Sequence, residues 1–444
     1  MSMKLKTTAF TLVAATGLTA VLAVAPVVGK ALGVNAGLAF AQEQQQKKQQ
    51  ETRKTPALRN KVYEKLQAVQ QAAEAQDMKL AKELLEEMRT AGGKNELNSY
   101  ELANMWNMFA FVYYSEENYP KAIEAYRNLI AQPDIPLQLE INTKYSIAQL
   151  YFVTEDYRNA VKTLKEWFEV ADNPNADAHM LMAQGYYQLK EWDNAIKEVE
   201  KGLAKNAEKG RLPKEPWLLL ARVLYFEKGD IPAMVDVLET LVKLYPKGEY
   251  WIQLSMMYGE QKKDLLQMVT METAYVQGML TRESELLQMA GLYAGNDVPY
   301  KAAKVLQKGV KDGIVKETSK NMEYLGNFLA SAQEIKKSVE PLKKAADLSK
   351  NGEAASRLAN VYISLDRFKE AEAAAKLALK KGDLRSEENT LLVLGQAQFY
   401  QEDYQDAKKT FNRALKFKKT EKFARQWIKY LNSELKRIES LSQE

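Results

Sequence analysis

Apolar positions recur with helical spacing from Tyr63 onward, in paired blocks separated by short polar turns. The strict apolar and polar alternation that indicates half-buried strands is almost absent. Turn residues return at intervals of roughly 33 to 41 positions, which is the spacing of a repeated two-helix unit. The pattern therefore predicts an all-α chain built from about ten helix pairs.

Each block carries large and small residues in the same order. The small residues let the two helices of a pair approach closely, and the large ones fill the space between neighbouring pairs. One pair cannot bury its apolar face alone, so the pairs must stack on one another. The clearest copy has Trp106, Phe109, Ala110, Tyr113, Ala122, Tyr126 and Leu129.

This pattern resembles the tetratricopeptide repeat (TPR) family over residues 62–419. The resemblance implies antiparallel helix pairs wound into a right-handed superhelix, whose concave groove is lined by the first helix of each pair. We predict an all-α TPR solenoid that runs continuously through residues 55–444, with about ten helix pairs and a capping helix at 421–440. Two copies depart from the pattern, because Gln267 and Ser338 stand where alanine is expected.

The first 41 residues predict an export signal. A short basic start precedes the uncharged apolar run 7–29, and residues 39–41 form the small-x-small triplet Ala-Phe-Ala. We predict a signal peptide at 1–41, cleaved after Ala41, and a periplasmic mature chain. The alternative is an uncleaved anchor in the inner membrane, because the apolar run is long enough to span a bilayer. Residues 42–54 are polar throughout and predict a flexible spacer.

The composition excludes several classes of function. The chain has no cysteine and one histidine, which excludes disulfides, thiolate catalysis and Cys/His zinc sites. His179 stands where other copies carry Trp, so we interpret it as a packing residue. With 63 basic and 58 acidic residues, the chain lacks the basic excess of a dedicated nucleic-acid binder. We therefore predict no enzymatic activity, no cofactor, no metal and no nucleic-acid partner.

The predicted groove lining indicates where a partner would bind. One position in successive first helices carries an aromatic ladder, Tyr114, Phe152, Tyr187 and Tyr225, and amides run beside it. Amides can bond a peptide backbone, and aromatic faces suit proline rings and extended segments. We predict that this lining binds an extended peptide or a partner protein; the alternative is that the aromatics only pack between repeats. The predicted partner-binding residues are Asn107, Phe111, Tyr114, Tyr145, Gln149, Phe152, Gln184, Tyr187, Arg222 and Tyr225.

The chain is also similar to the exported TPR proteins that accompany TonB–ExbB–ExbD energy-transduction systems. The similarity lies in the signal ending at residues 39–41, the Gln-rich spacer, and an array that fills the mature chain. It implies a role in TonB-dependent uptake of iron complexes, with TonB, ExbB or ExbD as partners. The alternative is a TPR adaptor in outer-membrane assembly or polysaccharide export. A cell-wall enzyme with a TPR appendage is disfavoured, because no residues remain for a catalytic domain.

The C-terminal segment is strongly basic. Residues 406–444 hold 11 basic and 5 acidic side chains. The plainer interpretation is a solvated polar cap on the array. The alternative is that the basic C-terminal helix makes peripheral contact with acidic lipid headgroups, or with an acidic partner.

Overall fold

All regular secondary structure in the described part of the chain is helical. The computed structural model describes residues 57–441, so the predicted signal peptide (1–41) and spacer (42–54) lie outside it. Residues 57–441 form 21 α-helices and no strand, which confirms the all-α prediction. No helix of this region has the length and apolar character needed to cross a membrane.

The chain divides into two compact units, Met1–Pro213 and Lys214–Glu444. That the array is one continuous superhelix stays a prediction. The described part of the N-terminal unit contains four helix pairs, and the short turn inside each pair makes its two helices antiparallel. The pairs are α1 (Asn60–Glu74) with α2 (Met78–Arg89), α3 (Ser99–Ser115) with α4 (Tyr119–Ile130), α5 (Leu137–Val153) with α6 (Tyr157–Val170), and α7 (Ala176–Gln188) with α8 (Trp192–Glu208).

Up to residue 441, where the described region ends, the C-terminal unit contains six further pairs and a closing helix. The closing helix, α21 (Glu421–Leu441), occupies the stretch predicted to cap the array. The total of ten pairs and one closing helix confirms the predicted repeat architecture. The pairs are α9 (Glu215–Lys228) with α10 (Ile231–Leu244), α11 (Gly248–Glu260) with α12 (Asp264–Val276), α13 (Glu283–Gly295) with α14 (Pro299–Lys311), α15 (Ser319–Ser331) with α16 (Ile335–Leu348), α17 (Glu353–Ile363) with α18 (Phe368–Lys381), and α19 (Glu387–Tyr400) with α20 (Tyr404–Ala414).

The turn inside every pair has the same backbone conformation. The residue just before the N-cap of each second helix is left-handed, with φ between 55° and 69°. Gly229 is the one glycine of this set, and the other nine accept the strain of a side chain at positive φ. The residues are Gln76, Glu117, Glu155, Lys190, Gly229, Lys262, Asp297, Gln333, Asp366 and Glu402.

The small positions of the repeat lie at the contact between the two helices of a pair. Ala110 and Ala148 are fully buried, as close helix packing requires. At Gly326 a Cβ atom would lie 2.5 Å from Cγ of Leu342 on the second helix of the same pair, which leaves no room for a larger residue.

The two departures from the repeat pattern are compensated locally. Ser338 is fully buried, and its hydroxyl donates to the carbonyl of Ile335 at 2.7 Å. Gln267 faces Gly259, where a Cβ would come within 2.6 Å of its Nε2. The larger side chain of Gln267 on α12 therefore fits because Gly259 on α11 has no side chain.

A buried carboxylate ties the start of the chain's first helix pair to the second pair. Glu101 accepts hydrogen bonds from Nε of Arg59 at 2.8 Å, from Nη2 at 2.6 Å, and from the backbone N–H of Asn98 at 3.1 Å. In return, the Asn98 side chain accepts from the Glu101 N–H at 2.9 Å, which completes a capping box. The hydrogen bond from Arg59 outweighs burial and holds the pKa of Glu101 below its ordinary value.

We expect Glu101→Gln to lower the free energy of unfolding by roughly 1–3 kcal/mol at neutral pH, because charge-assisted bonds become weaker. The pKa of Glu101 is lower in the folded chain than in the unfolded chain, so its ionised carboxylate stabilises the fold at pH values above the unfolded pKa. This stabilisation is lost as the pH falls through the pKa of the folded chain. The gap between the wild-type chain and the variant should therefore shrink in acid below pH 4.5, the ordinary value. Urea denaturation of both chains at neutral and at acidic pH measures this difference in the free energy of unfolding.

Glu87→Gln is the matched control, because Glu87 pairs with Lys65 at 2.7 Å on the exposed surface. Exposed ion pairs contribute little, so this variant should unfold almost as the wild-type chain does. A gap for Glu101→Gln that stays constant with pH would contradict the role given to its charge.

Candidate functional site

Eight of the predicted partner-binding residues lie on the first helices of the N-terminal unit. Their spacing of three to four positions places those of each helix on one face. We call these eight residues the groove face. They are Asn107, Phe111 and Tyr114 on α3, Tyr145, Gln149 and Phe152 on α5, and Gln184 and Tyr187 on α7.

The groove face combines exposed rings with amides that have no partner. Phe111 is 43% exposed and Tyr114 52% exposed. The side-chain amides of Asn107, Gln149 and Gln184 make no hydrogen bond to any other residue of the described region. The arrangement can therefore offer free donors and acceptors beside apolar surface.

The ladder rings are not equally available. Phe152 and Tyr187 are half-buried, whereas Tyr114 is exposed. Tyr114, Phe152 and Tyr187 each contact the first residue of the second helix in their own pair, so these three rings also fasten the two helices together. Between ring centroids, Tyr114 lies 5.8 Å from Tyr119, Phe152 lies 5.9 Å from Tyr157, and Tyr187 lies 5.5 Å from Trp192.

The sequence analysis missed the partner rings Tyr119, Tyr157 and Trp192, although their spacing in the sequence could have indicated them. Each stands five positions after its ladder residue, and Phe399 and Tyr404 repeat the spacing with centroids 5.5 Å apart. The recurrence of one spacing in four copies marks a packing contact rather than a coincidence of composition.

Two members of the groove face also make packing contacts, one with the next repeat and one within its own pair. The ring of Phe152 reaches α7, where its Cζ is 3.1 Å from the place of a Cβ on Gly185. Tyr145 is half-buried, its ring centroid is 5.1 Å from that of Trp167, and burial raises the pKa of its hydroxyl. Phe152 and Tyr145 thus serve packing as well as lining the face.

The remaining two predicted residues lie on α9 of the C-terminal unit. Arg222 is half-buried, and its guanidinium donates to the side-chain oxygen of Gln253 on α11 at 2.5 Å. Tyr225 is half-buried, whereas the next residue, Phe226, is exposed and was missed by the sequence analysis. The guanidinium of Arg222 is therefore already engaged within its own unit.

His179 is buried between helices. Its Nδ1 lies 2.7 Å from Oε2 of Glu198, and its ring centroid is 4.9 Å from that of Phe168. Burial raises the pKa of Glu198, but hydrogen bonds from His179 and Lys201 outweigh that effect, so the net pKa is lowered. Within residues 57–441 no group of three or more His, Cys, Asp or Glu residues is placed to hold a metal ion.

Two family models match parts of the chain. The model described as tetratricopeptide repeat matches residues 389–421. The model described as anaphase-promoting complex, cyclosome, subunit 3, matches residues 137–202. Together with ten helix pairs of one repeated pattern, they identify the chain as a tetratricopeptide repeat protein, an all-α TPR solenoid. No curated protein matches its sequence.

Several solved structures are similar to the chain. YrrB, titled a TPR protein with an unusual peptide-binding site, is 13% identical with a TM-score of 0.37, over 43% of this chain and 96% of YrrB. The C-terminal part of a TPR protein from Cytophaga hutchinsonii is 16% identical with a TM-score of 0.36, over 56% of this chain and 99% of that structure. The APC/C hetero-tetramer Cut9-Hcn1 is 15% identical with a TM-score of 0.31, over 84% of each chain.

Proposed function

We propose that this chain is an exported scaffold that binds an extended peptide or a partner protein along the groove face. One observation carries the proposal: the groove face holds both the exposed rings of Phe111 and Tyr114 and the unpartnered side-chain amides of Asn107, Gln149 and Gln184. A surface that only stabilised the fold would need neither feature.

The chemistry of the groove face suits an extended chain. An extended peptide presents unsatisfied backbone N–H and C=O groups along its length, and a side-chain amide can both donate to and accept from them. The rings of Phe111 and Tyr114 can then cover a proline ring or another apolar side chain of the ligand. Because the binding groups are amides rather than charges, we expect affinity to depend only weakly on salt.

At a finer level, we propose that the chain works in the periplasm as an accessory of TonB-dependent energy transduction and iron-complex uptake. The support is the predicted signal peptide, the Gln-rich spacer and the array that fills the rest of the chain. A proline-rich, periplasm-spanning segment such as that of TonB would suit the exposed rings.

Photo-crosslinking in living cells tests both levels. A photoreactive residue at Tyr114 of the full-length, C-terminally tagged chain should capture the partner, which mass spectrometry then identifies. Leu80 on the second helix α2 is the control site, because it is 43% exposed and lies off the groove face. Capture at Tyr114 but not at Leu80 is the expected result.

The identity of the captured protein decides the finer proposal. TonB, ExbB or ExbD would support the energy-transduction role. A component of outer-membrane assembly or polysaccharide export would replace that role by the adaptor alternative, with groove binding intact. Equal capture at Tyr114 and Leu80 would contradict the groove face as the binding surface.

A further inference from the structure

An open groove runs between α20 and the closing helix α21. Its volume is about 500 Å³, which is within the range of ligand-binding clefts. Leu415, after α20, and Ile428, on α21, are half-buried lining residues, while Asn412 and Asn432 add amide groups. The groove lies in the C-terminal unit, so it is a surface distinct from the groove face and goes beyond the proposed function.

Three cations of α21 line this groove: Arg425, Lys429 and Lys436. Arg425 is paired with Glu421 of its own helix at 2.7 Å. Lys429 and Lys436 are exposed and have no acidic partner within residues 57–441. The groove therefore carries positive charge that the fold does not neutralise.

Acidic side chains near the groove do not neutralise the positive charge of Lys429 and Lys436. Residues 406–444 hold 11 basic and 5 acidic residues. Three of the five acids are each held by a cation three or four positions away on the same helix, at 2.5 to 2.9 Å. These pairs are Asp406 with Lys409, Glu421 with Arg425, and Glu434 with Arg437.

We propose that the groove between α20 and α21 binds an acidic peptide segment of a partner protein, with apolar residues between its carboxylates. Carboxylates of the peptide would pair with Lys429 and Lys436, because opposite charges across an interface are complementary. The amides of Asn412 and Asn432 can bond the peptide backbone. An apolar residue of the peptide would cover Leu415 and Ile428.

The placement of side chains around α21 favours a peptide over a membrane surface. The exposed apolar groups of α21 that could enter a bilayer interface are Phe423, Tyr430, Ile438 and Leu441. At 3.6 residues per turn each of them lies about 100° or more around the helix from Lys429 and from Lys436. A planar surface that contacted these apolar side chains would leave the two lysines turned away, and it would not enter a groove between two helices.

Fluorescence anisotropy with a labelled peptide in which Glu alternates with Leu and Ser tests the proposal on the mature chain. We expect Lys429→Glu combined with Lys436→Glu to weaken binding about tenfold or more, and added salt to weaken wild-type binding. Lys343→Glu combined with Lys350→Glu is the matched control, because it makes the same charge change at exposed positions that do not line the groove. It should change affinity by about twofold at most.

Three results would overturn the proposal. The wild-type chain could fail to bind the acidic peptide. The two double variants could lose affinity equally, which would show attraction by net charge alone. Phosphatidylglycerol vesicles could sediment with the wild-type and control chains, but not with the groove variant, while the peptide stayed unbound; that result would assign the lysines to lipid headgroups. Circular dichroism of both variants verifies that each remains folded.

Discussion

Replacing Gly395 with alanine is expected to lower the free energy of unfolding by roughly 1–3 kcal/mol. The new Cβ would lie 2.5 Å from Cε1 and 2.8 Å from Cδ1 of Phe411, closer than packed carbon atoms tolerate. Phe411 cannot turn aside easily, because it is fully buried and stacks on Trp427 of α21, with ring centroids 5.6 Å apart and planes 9° apart. The clash would therefore loosen the closing helix as well as the last pair.

A glycine-to-alanine substitution elsewhere in the C-terminal unit should have the opposite effect on the free energy of unfolding. Gly291 lies inside α13, and no atom is within 4 Å of the position where its Cβ would be. Gly291→Ala should therefore raise the free energy of unfolding by about 0.5–1 kcal/mol, since alanine loses less backbone entropy in a helix. Urea denaturation followed by far-ultraviolet circular dichroism measures both changes. Loss of stability in both variants, or in neither, would contradict the packing described for Gly395.

The contact between Gly395 and Phe411 shows what the sequence could predict. The sequence analysis gave each block large and small residues in one order and placed the small ones where the two helices of a pair approach closely. In the structure, Gly326 faces Leu342 at the same separation of sixteen positions as Gly395 faces Phe411. Helical periodicity and the steric need for small residues are local and repeat along the chain, so the helix pairs and their packing positions can be derived from the sequence.

The exposure of the candidate binding residues could not be predicted in the same way. Tyr114 and Phe152 occupy matched positions in neighbouring copies, yet Tyr114 is exposed while Phe152 is half-buried. The difference arises because Phe152 packs against α7 at Gly185, a residue 33 positions further along the chain. The bond between Arg59 and Glu101 spans 42 positions and was likewise unforeseen. Such contacts depend on the identity of the residue at the contact position in the next repeat. That identity differs from copy to copy, so the repeat pattern does not predict it.

This difference in exposure defines the variant that tests binding without disturbing the fold. Phe111→Ala combined with Tyr114→Ala should weaken affinity for the partner captured at Tyr114 about a hundredfold, because exposed aromatic anchors carry much of the energy of an interface. Unfolding should change less than in Phe152→Ala, because both rings are more than 40% exposed, although Tyr114 loses its contact with Tyr119. Titration of the purified captured protein against each variant measures the affinity.

Two further variants separate binding from packing. Leu80→Ala removes a side chain with the same 43% exposure as Phe111 from outside the groove face, so it should leave affinity unchanged. Phe152→Ala should lower stability, because it empties the space against Gly185. Full affinity in the Phe111 and Tyr114 double variant would contradict ligand binding by the exposed rings. If Phe152→Ala then reduced affinity only as far as it reduced folding, the ladder would act in packing alone.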